Sequence, residues 1–445
     1  MPKYKYPNKV PFYKFLRQSS TIAKNPIPFH NKWFNEVGDT FAIKSPFYGH
    51  IILTRDAVIT KHMLQKKHKV YHKSKIQTFY LSKYVGYGLL TSSGDYWLKQ
   101  RRLIQPAFHK EKIQSLVEII DKAINEQVDK ITPDGFVDLY PIMNELAFEV
   151  VAKSLFDFSA EKETLARLQF IIEKLQLFIV KELRMPYKKL WYTLSGEIRY
   201  HMKLVKESRN IINTIIDQRR ESNDQHDDLL DMLLSAKYED GTAMTNEQLI
   251  DEILILFVAG HETTANALTF TLKLLAQNIE ELAKVETEIK EISAKDLTSL
   301  QEISQLNHTK CCIEESLRLY PPAWITDRVN VEDDKIDNYV LKEGTIIGAS
   351  IYELHRNENY WNNPELFKPS RFFEENRKDI MSYYMPFGAG PRLCIGNNFA
   401  MYEMILVVNR ILKKFDISTD NDTIKVNPLI TLKPVDIKIK FGLKT

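Results

Sequence analysis

The sequence predicts a mainly α-helical protein with small β-sheets, folded as one continuous domain over residues 1–445. Three observations carry this. Helical hydrophobic spacing dominates from Asp56 to about Lys290, strand-like runs occur only towards the two ends, and no linker, repeat or low-complexity tract divides the chain. Length alone points the other way, since 445 residues exceed the size at which one core usually splits. A composition that is 44% hydrophobic and 11% aromatic is nevertheless ample for a large core.

Taken in order, Phe41–Ile43 and His50–Thr54 flank a Ser45-Pro46 and Gly49 turn and read as a hairpin. Spacings of three and four follow, as in Val117, Ile120, Ala123 and Ile124. Thr245 and Gln248 form a T-x-x-Q capping box before the apolar run Leu249–Leu275, and Asn278 with Glu281 reads as the cap of the next helix. A helix of about 30 residues spans roughly 45 Å, long enough to cross the whole molecule. It is apolar on nearly every face around Ile253–Val258, which predicts burial. Strand-like segments return at Arg328–Val331, Tyr339–Leu341, Thr345–Ile351, Leu429–Leu432 and Val435–Phe441, so the sheet is assembled from both ends. Arg220–Asp228 reads as a charged loop.

The 61 basic and 58 acidic side chains leave a net charge of +3, too balanced to suggest a nucleic-acid binder, so any basic patch must be local. Cys311, Cys312 and Cys394 make a poor disulfide framework, so a reducing, cytoplasmic setting is expected. Met1–Ser20 carries Lys3, Lys5, Lys9, Lys14 and Arg17 without an apolar segment of signal-peptide length. The longest apolar stretch, Ile253–Ala259, falls far below the roughly 18 residues of a membrane span. A soluble, unanchored monomer is the expectation.

The most informative stretch is Phe387-Gly388-Ala389-Gly390-Pro391-Arg392-Leu393-Cys394-Ile395-Gly396. Glycines permit the positive φ and close approach needed to wrap backbone amides around a sulfur, and such amides stabilise a thiolate. An isolated G-x-G would be an ordinary turn beside a buried cysteine. The whole string is F-G-x-G-x-R-x-C-x-G, and with it the chain resembles the cytochrome P-450 family. The resemblance implies that family's fold, an α-helical prism with a long central helix over haem b. It also implies Cys394 as the axial thiolate, Phe387 packed near the sulfur, Gly388, Gly390 and Gly396 shaping the loop, and Arg392 as a propionate partner. A thiolate ligand favours O–O cleavage over reversible oxygen binding. Zinc or iron–sulfur ligation at Cys394 is not expected, since no second cysteine or histidine lies at ligand spacing.

Other motifs extend the resemblance over nearly the whole chain. Glu315 and Arg318 share a helical face, which taken alone is a weak surface ion pair. Followed by Pro369-Ser370-Arg371-Phe372, they are similar to the family's E-x-x-R and P-x-R-F elements, so Glu315, Arg318 and Arg371 are expected to lock the region behind the haem. Trp97 and Arg101, spaced i,i+4, are pure hydrogen-bond donors on one face, suited either to an amphipathic core helix or to a propionate. The family's W-x-x-x-R element favours the propionate, and Arg328 falls where many members place another propionate ligand. Cys311 and Cys312 read as small core residues.

Ala259-Gly260-His261-Glu262-Thr263-Thr264 sets a glycine, an acid and two hydroxyls inside the apolar helix, which is costly without a purpose. A threonine hydroxyl can bond the carbonyl four residues back, here Ala259, and loosen the helix beside Gly260. By similarity to the family's oxygen-binding motif, Thr263 bonds dioxygen and Glu262 relays protons, since cleaving the O–O bond consumes two. His261 is expected to pack. The resemblance also implies a substrate pocket lined by Phe79, Leu81, Phe257, Ala259, Trp324, Ile325 and Ile430, hence a small lipophilic substrate such as a fatty acid or isoprenoid. With 51 residues after Cys394, electrons are expected from a separate ferredoxin- or flavodoxin-type donor and its reductase. Lys99, Arg102, Lys110 and Lys112 make either its docking patch or a solvated face. The expected activity is monooxygenation with O₂; a peroxide-driven or rearranging enzyme and a non-catalytic haem protein are the rivals, and neither has use for the acid–alcohol pair.

Overall fold

The computed structural model describes residues 4–45, 49–133, 135–156, 162–221, 228–420 and 422–444. The tip of the hairpin turn and most of the charged loop after Arg220 lie outside these. Seven helices position the site: α1 (Gly94–Ile104), α2 (Leu139–Phe156), α3 (Lys162–Arg184), α4 (Asn246–Gln277), α5 (Ile279–Ser293), α6 (Asn307–Leu319) and α7 (Asn397–Lys414). Helix α4 is the axis of the core. Its first turn is closed reciprocally: Gln248 N donates to Thr245 Oγ1 at 3.3 Å, and Thr245 N donates to Gln248 Oε1 at 2.9 Å. Apolar side chains on every face let it pack against α2, α3's partner helix Glu197–Glu221, α6 and α7 together. By length and composition α4 could cross a membrane, but most of that apolar window is buried inside the protein.

The main sheet has five strands, β1 (Thr40–Ser45), β2 (Gly49–Thr54), β3 (Tyr71–His72), β4 (Ile325–Asn330) and β5 (Ile346–Ser350), in the order β1-β2-β5-β4-β3. The hairpin β1–β2 pairs Ile43 with Ile51, and β2 runs parallel to β5 with Ile51 beside Ile346, so distant segments do share one sheet. A terminal hairpin, β6 (Lys425–Pro428) and β7 (Leu432–Val435), leaves residues 429–431 as its turn rather than as the expected strand. Asn278 does not cap α5 either. It stands at the N-cap position, but its Nδ2 donates back to the Leu274 carbonyl at 2.7 Å, which also accepts from Asn278 N at 3.0 Å, so the side chain makes no bond to the first turn of α5.

Candidate functional site

The Cys394 loop runs from Met385 into the first turn of α7, with Cys394 N donating to Phe387 O at 2.9 Å. Gly388 and Gly390 take φ of +76° and +71°, as expected. At Gly390 a Cβ would also collide with the Leu64 carbonyl, so the loop lies against that turn only because the side chain is absent. Gly396 differs, with a φ of −92° as the residue before α7, and serves through its amide near the sulfur. The Cys394 side chain is accessible to a water-sized sphere, yet burial is the main cause raising its thiol pKa, against the Gly396 amide and the Arg101 charge. The sulfur is thus reachable by a small molecule yet surrounded by enough protein to be desolvated.

Three cations gather beside this loop. Lys73, Arg328 and Arg392 sit within each other's field, and none forms an ion pair with a described carboxylate. Burial first, then the charges of Arg328 and Arg392, holds Lys73 well below the usual lysine range; its ammonium donates to the carbonyls of Leu89, at 2.8 Å, and Leu90. Burial and Arg328 bring Arg392 down to about 10. The Arg392 guanidinium lies 4.2 Å over the Trp97 ring, while Arg328 donates to Asp327 O at 2.6 Å. Like charges desolvated together are unfavourable unless an anion joins them.

Along α4 between Glu252 and Leu275, every residue is buried except Ala259, Gly260 and Thr263. This stripe of i, i+1 and i+4 is one opening in a closed helix surface. Thr263 Oγ1 donates to Ala259 O at 2.7 Å and Thr264 Oγ1 to Gly260 O at 3.0 Å. The helix is nevertheless continuous here, so the opening comes from small side chains and not from an interruption of the helix. Glu262 faces away from the opening. Burial raises its carboxyl to about 7, opposed by the Lys433 charge and by Thr431 and Gln176 beside it. Asn266 Nδ2 bonds Thr431 Oγ1 at 3.0 Å, and Asn144 Nδ2 bonds Glu173, another neighbour of Glu262, at 3.0 Å. His261 packs, with Nδ1 on Phe257 O at 2.7 Å and its ring edge-on to Phe148.

Behind the cysteine loop, Glu315 and Arg318 are both completely buried, not a surface pair. Arg318 grips Glu315 at 2.7 and 2.9 Å, Arg371 Nε reaches Glu315 at 3.2 Å, and Lys368 N donates to the same carboxylate at 2.9 Å. Arg318 also donates to His355 O at 2.7 Å. The His355 ring then accepts from Met385 N at 2.9 Å, where the chain enters the cysteine loop. Burial keeps this imidazole neutral, which leaves Nδ1 to donate to Arg318 O at 3.2 Å.

Comparison with known proteins agrees with this arrangement. The family model described as Cytochrome P-450 matches residues 5–441. The chain belongs to the cytochrome P-450 family. Similar proteins include a cytokinin hydroxylase of Arabidopsis thaliana, 28% identical over 95% of this chain and 83% of that protein. A cyclooctat-9-en-7-ol 5-monooxygenase of Streptomyces melanosporofaciens is 30% identical over 74% of this chain and 72% of its own. An 11-oxo-beta-amyrin 30-oxidase of Medicago truncatula is 29% identical over 80% and 71%. The protein is thus a cytochrome P-450 monooxygenase, and its family binds haem b through a cysteine thiolate. The residues present fit that group: an accessible sulfur, and beside it the buried Lys73 and Arg328 with the half-buried Arg392, three cations of which none is ion-paired with a described carboxylate and which the two propionates would neutralise.

Several pocket expectations need correction for this cytochrome P-450. Phe257 is 0% exposed, stacked on Phe148 along the α2 side of α4, so it presents no surface to a substrate. Trp324 is 4% exposed, packed with Phe270 and Leu432, and its indole donates to Leu429 O at 3.2 Å. Leu81 belongs to the main core. Ala259, Ile325 and Ile430 keep accessible surface, and Phe79 is 61% exposed. Arg101 Nη1 bonds Leu393 O at 2.9 Å and so touches the cysteine loop itself. Three residues of interest escaped the sequence. Lys73 lies in a lysine-rich stretch that looks solvated. Glu252, raised by burial to about 7, accepts from Leu89 N at 2.9 Å, and Gly88 leaves room for its carboxylate. Glu403, fully buried in α7, shares a helical face with Ala400, Val407 and Ile411, and that apolar phase is the signal that could have found it.

Proposed function

We propose that this monooxygenase holds haem b through the Cys394 sulfur and oxidises a lipophilic, isoprenoid- or fatty-acid-like substrate. Haem b, when bound, supplies the activation of O₂ from which one oxygen atom enters the substrate. The single observation that carries the reading is the opening of α4 at Ala259, Gly260 and Thr263, the one place between Glu252 and Leu275 where that helix offers surface. It pairs with the accessible sulfur.

The chain's own residues then divide the work. Lys73, Arg328, Arg392 and the Trp97 indole hold the propionates. Arg101 and the Gly396 amide steady the thiolate, which the N-terminal end of α7 also favours. The Thr263 hydroxyl, facing the opening, is placed to hold a proton for transfer. Glu262, titrating near neutrality, takes protons from the polar groups around Gln176, Thr431 and Lys433 and exchanges them with the Thr263 side of the helix. Ala259, Ile325 and Ile430 contribute apolar wall. The relatives named for cytokinin, 11-oxo-beta-amyrin and cyclooctat-9-en-7-ol support an isoprenoid-type substrate.

Electrons are proposed to come from a ferredoxin- or flavodoxin-type protein at the exposed Lys99, Arg102, Lys110 and Lys112, next to the helix that touches the cysteine loop. A cytoplasmic setting is supported by three unpaired cysteines. Two measurements test the site. The reduced holoprotein with carbon monoxide is expected to show the strongly red-shifted band of thiolate ligation, and Cys394→Ser to lose it; a normal band in the variant removes the assignment. Thr263→Ala is expected to divert electrons from product to peroxide and water, and unchanged coupling would refute the proton role.

A further inference from the structure

We propose a second metal site, for a zinc-like divalent cation, formed by Glu281, His308 and Cys312 on the side of the core where α5 packs against α6. One ligand atom from each of the three lies within 4.8 Å of the other two. His308 and Cys312 are spaced i,i+4 on α6, so they share a face, and Glu281 reaches that face from the first turn of α5. Glu281 Oε2 and His308 Nε2 approach to 2.8 Å, yet both atoms are buried and neither is aligned in a hydrogen bond. The pair is an ion pair when the imidazole is protonated, and a metal ion taken up beside Cys312 would replace that proton. The neighbouring Cys311 is not part of the set, since its Sγ is directed to the Phe372 carbonyl at 3.4 Å.

The surroundings suit a cation. Lys284 occupies the other Glu281 oxygen at 2.8 Å and so fixes the carboxylate. Glu288 holds the start of α6 by accepting from His308 N at 2.7 Å and Thr309 N at 2.9 Å, which sets the histidine backbone and adds negative charge nearby. A sulfur, a nitrogen and an oxygen ligand make a set of borderline softness that selects zinc over magnesium or calcium, with a water to complete the coordination. On binding, the Cys312 Sγ–H proton leaves to solvent as the Sγ–metal bond forms, and the charges of Glu281 and Cys312 offset that of the cation. Cys312 thereby acquires a role beyond filling core. The metal would staple α5 to the first turns of the helix whose far end carries Glu315 and Arg318. The site stands whether or not the proposed haem-site roles do.

The test uses haem-loaded protein, in which Cys394 is engaged, stripped with a chelator and then titrated with zinc chloride. One zinc per chain beyond the haem iron is expected, with zinc-edge absorption showing one sulfur at about 2.3 Å. A raised melting temperature should accompany it. Cys312→Ser and His308→Ala should each weaken binding at least about tenfold, while Cys311→Ser leaves it unchanged. The carbon monoxide band reports that each variant is folded, and His308, whose side chain keeps 16% exposure, keeps the test decisive if the Cys312 variant is not. No stoichiometric zinc in the unsubstituted protein, no sulfur ligand, or equal binding by His308→Ala would overturn the proposal.

Discussion

At the scale of single residues, the site works by controlled burial. Glu262 has an ordinary carboxyl value of 4.5 when unfolded and about 7 when folded, because desolvation outweighs Lys433, Thr431 and Gln176. Between those values the folded state binds more protons than the unfolded chain, so stability falls as pH rises through that window and levels off above it. The loss belonging to Glu262 is on the order of 3 kcal/mol. Glu262→Gln should remove that share of the slope, read from denaturant midpoints between pH 5 and 8. Glu252 keeps a similar share, so a slope remains. An unaltered slope in the variant would show that Glu262 is ionised in the folded protein throughout.

Elements succeed here through their ends and their clamps. Glu315 receives two arginines and a backbone amide in a site without water-facing surface, so removing one partner strands the others. Arg318→Met should cost about 3–5 kcal/mol in urea unfolding, and Arg318→Lys should restore little, because only the planar fork reaches Glu315 and the His355 carbonyl together. A loss below about 1 kcal/mol would mean the pair is dispensable. The capping box at Thr245 is a smaller, local matter; Thr245→Ala should cost about 1 kcal/mol. Gly390→Ala is harsher, since positive φ and the Leu64 carbonyl both oppose a methyl group. It should impair haem retention more than the matching change at Gly388, where space is open.

For the molecule as a whole, the fold's decisive act is to bring Lys73, Arg328 and Arg392 from three distant segments into one desolvated cluster. Removing one charge should therefore have opposite signs in two states. Arg328→Met is expected to leave the haem-free protein as stable or more stable, since an unpaired buried cation disappears, while speeding haem transfer to an acceptor protein by about tenfold or more. Equal destabilisation of both forms would mean that Arg328 serves only the sheet.

What the sequence determined by itself is whatever depends on neighbours within a few turns. The central helix and its capping box, the β1–β2 hairpin, the glycine turns at Gly388 and Gly390, and the Thr263 hydroxyl bonding Ala259 were legible from local spacing. The cysteine string and the paired Glu315 and Arg318 were legible as motifs, because their chemistry demands fixed separations along the chain. Only the tertiary structure decided which sides face inward. It buried Phe257 and Trp324, left just three residues of α4 between Glu252 and Leu275 accessible, placed Lys73 among cations, and brought Glu281 beside His308 and Cys312. Periodicity says that a helix has a buried side, but the field, solvent and partners at each side chain are set by segments hundreds of residues away, and those no local pattern encodes.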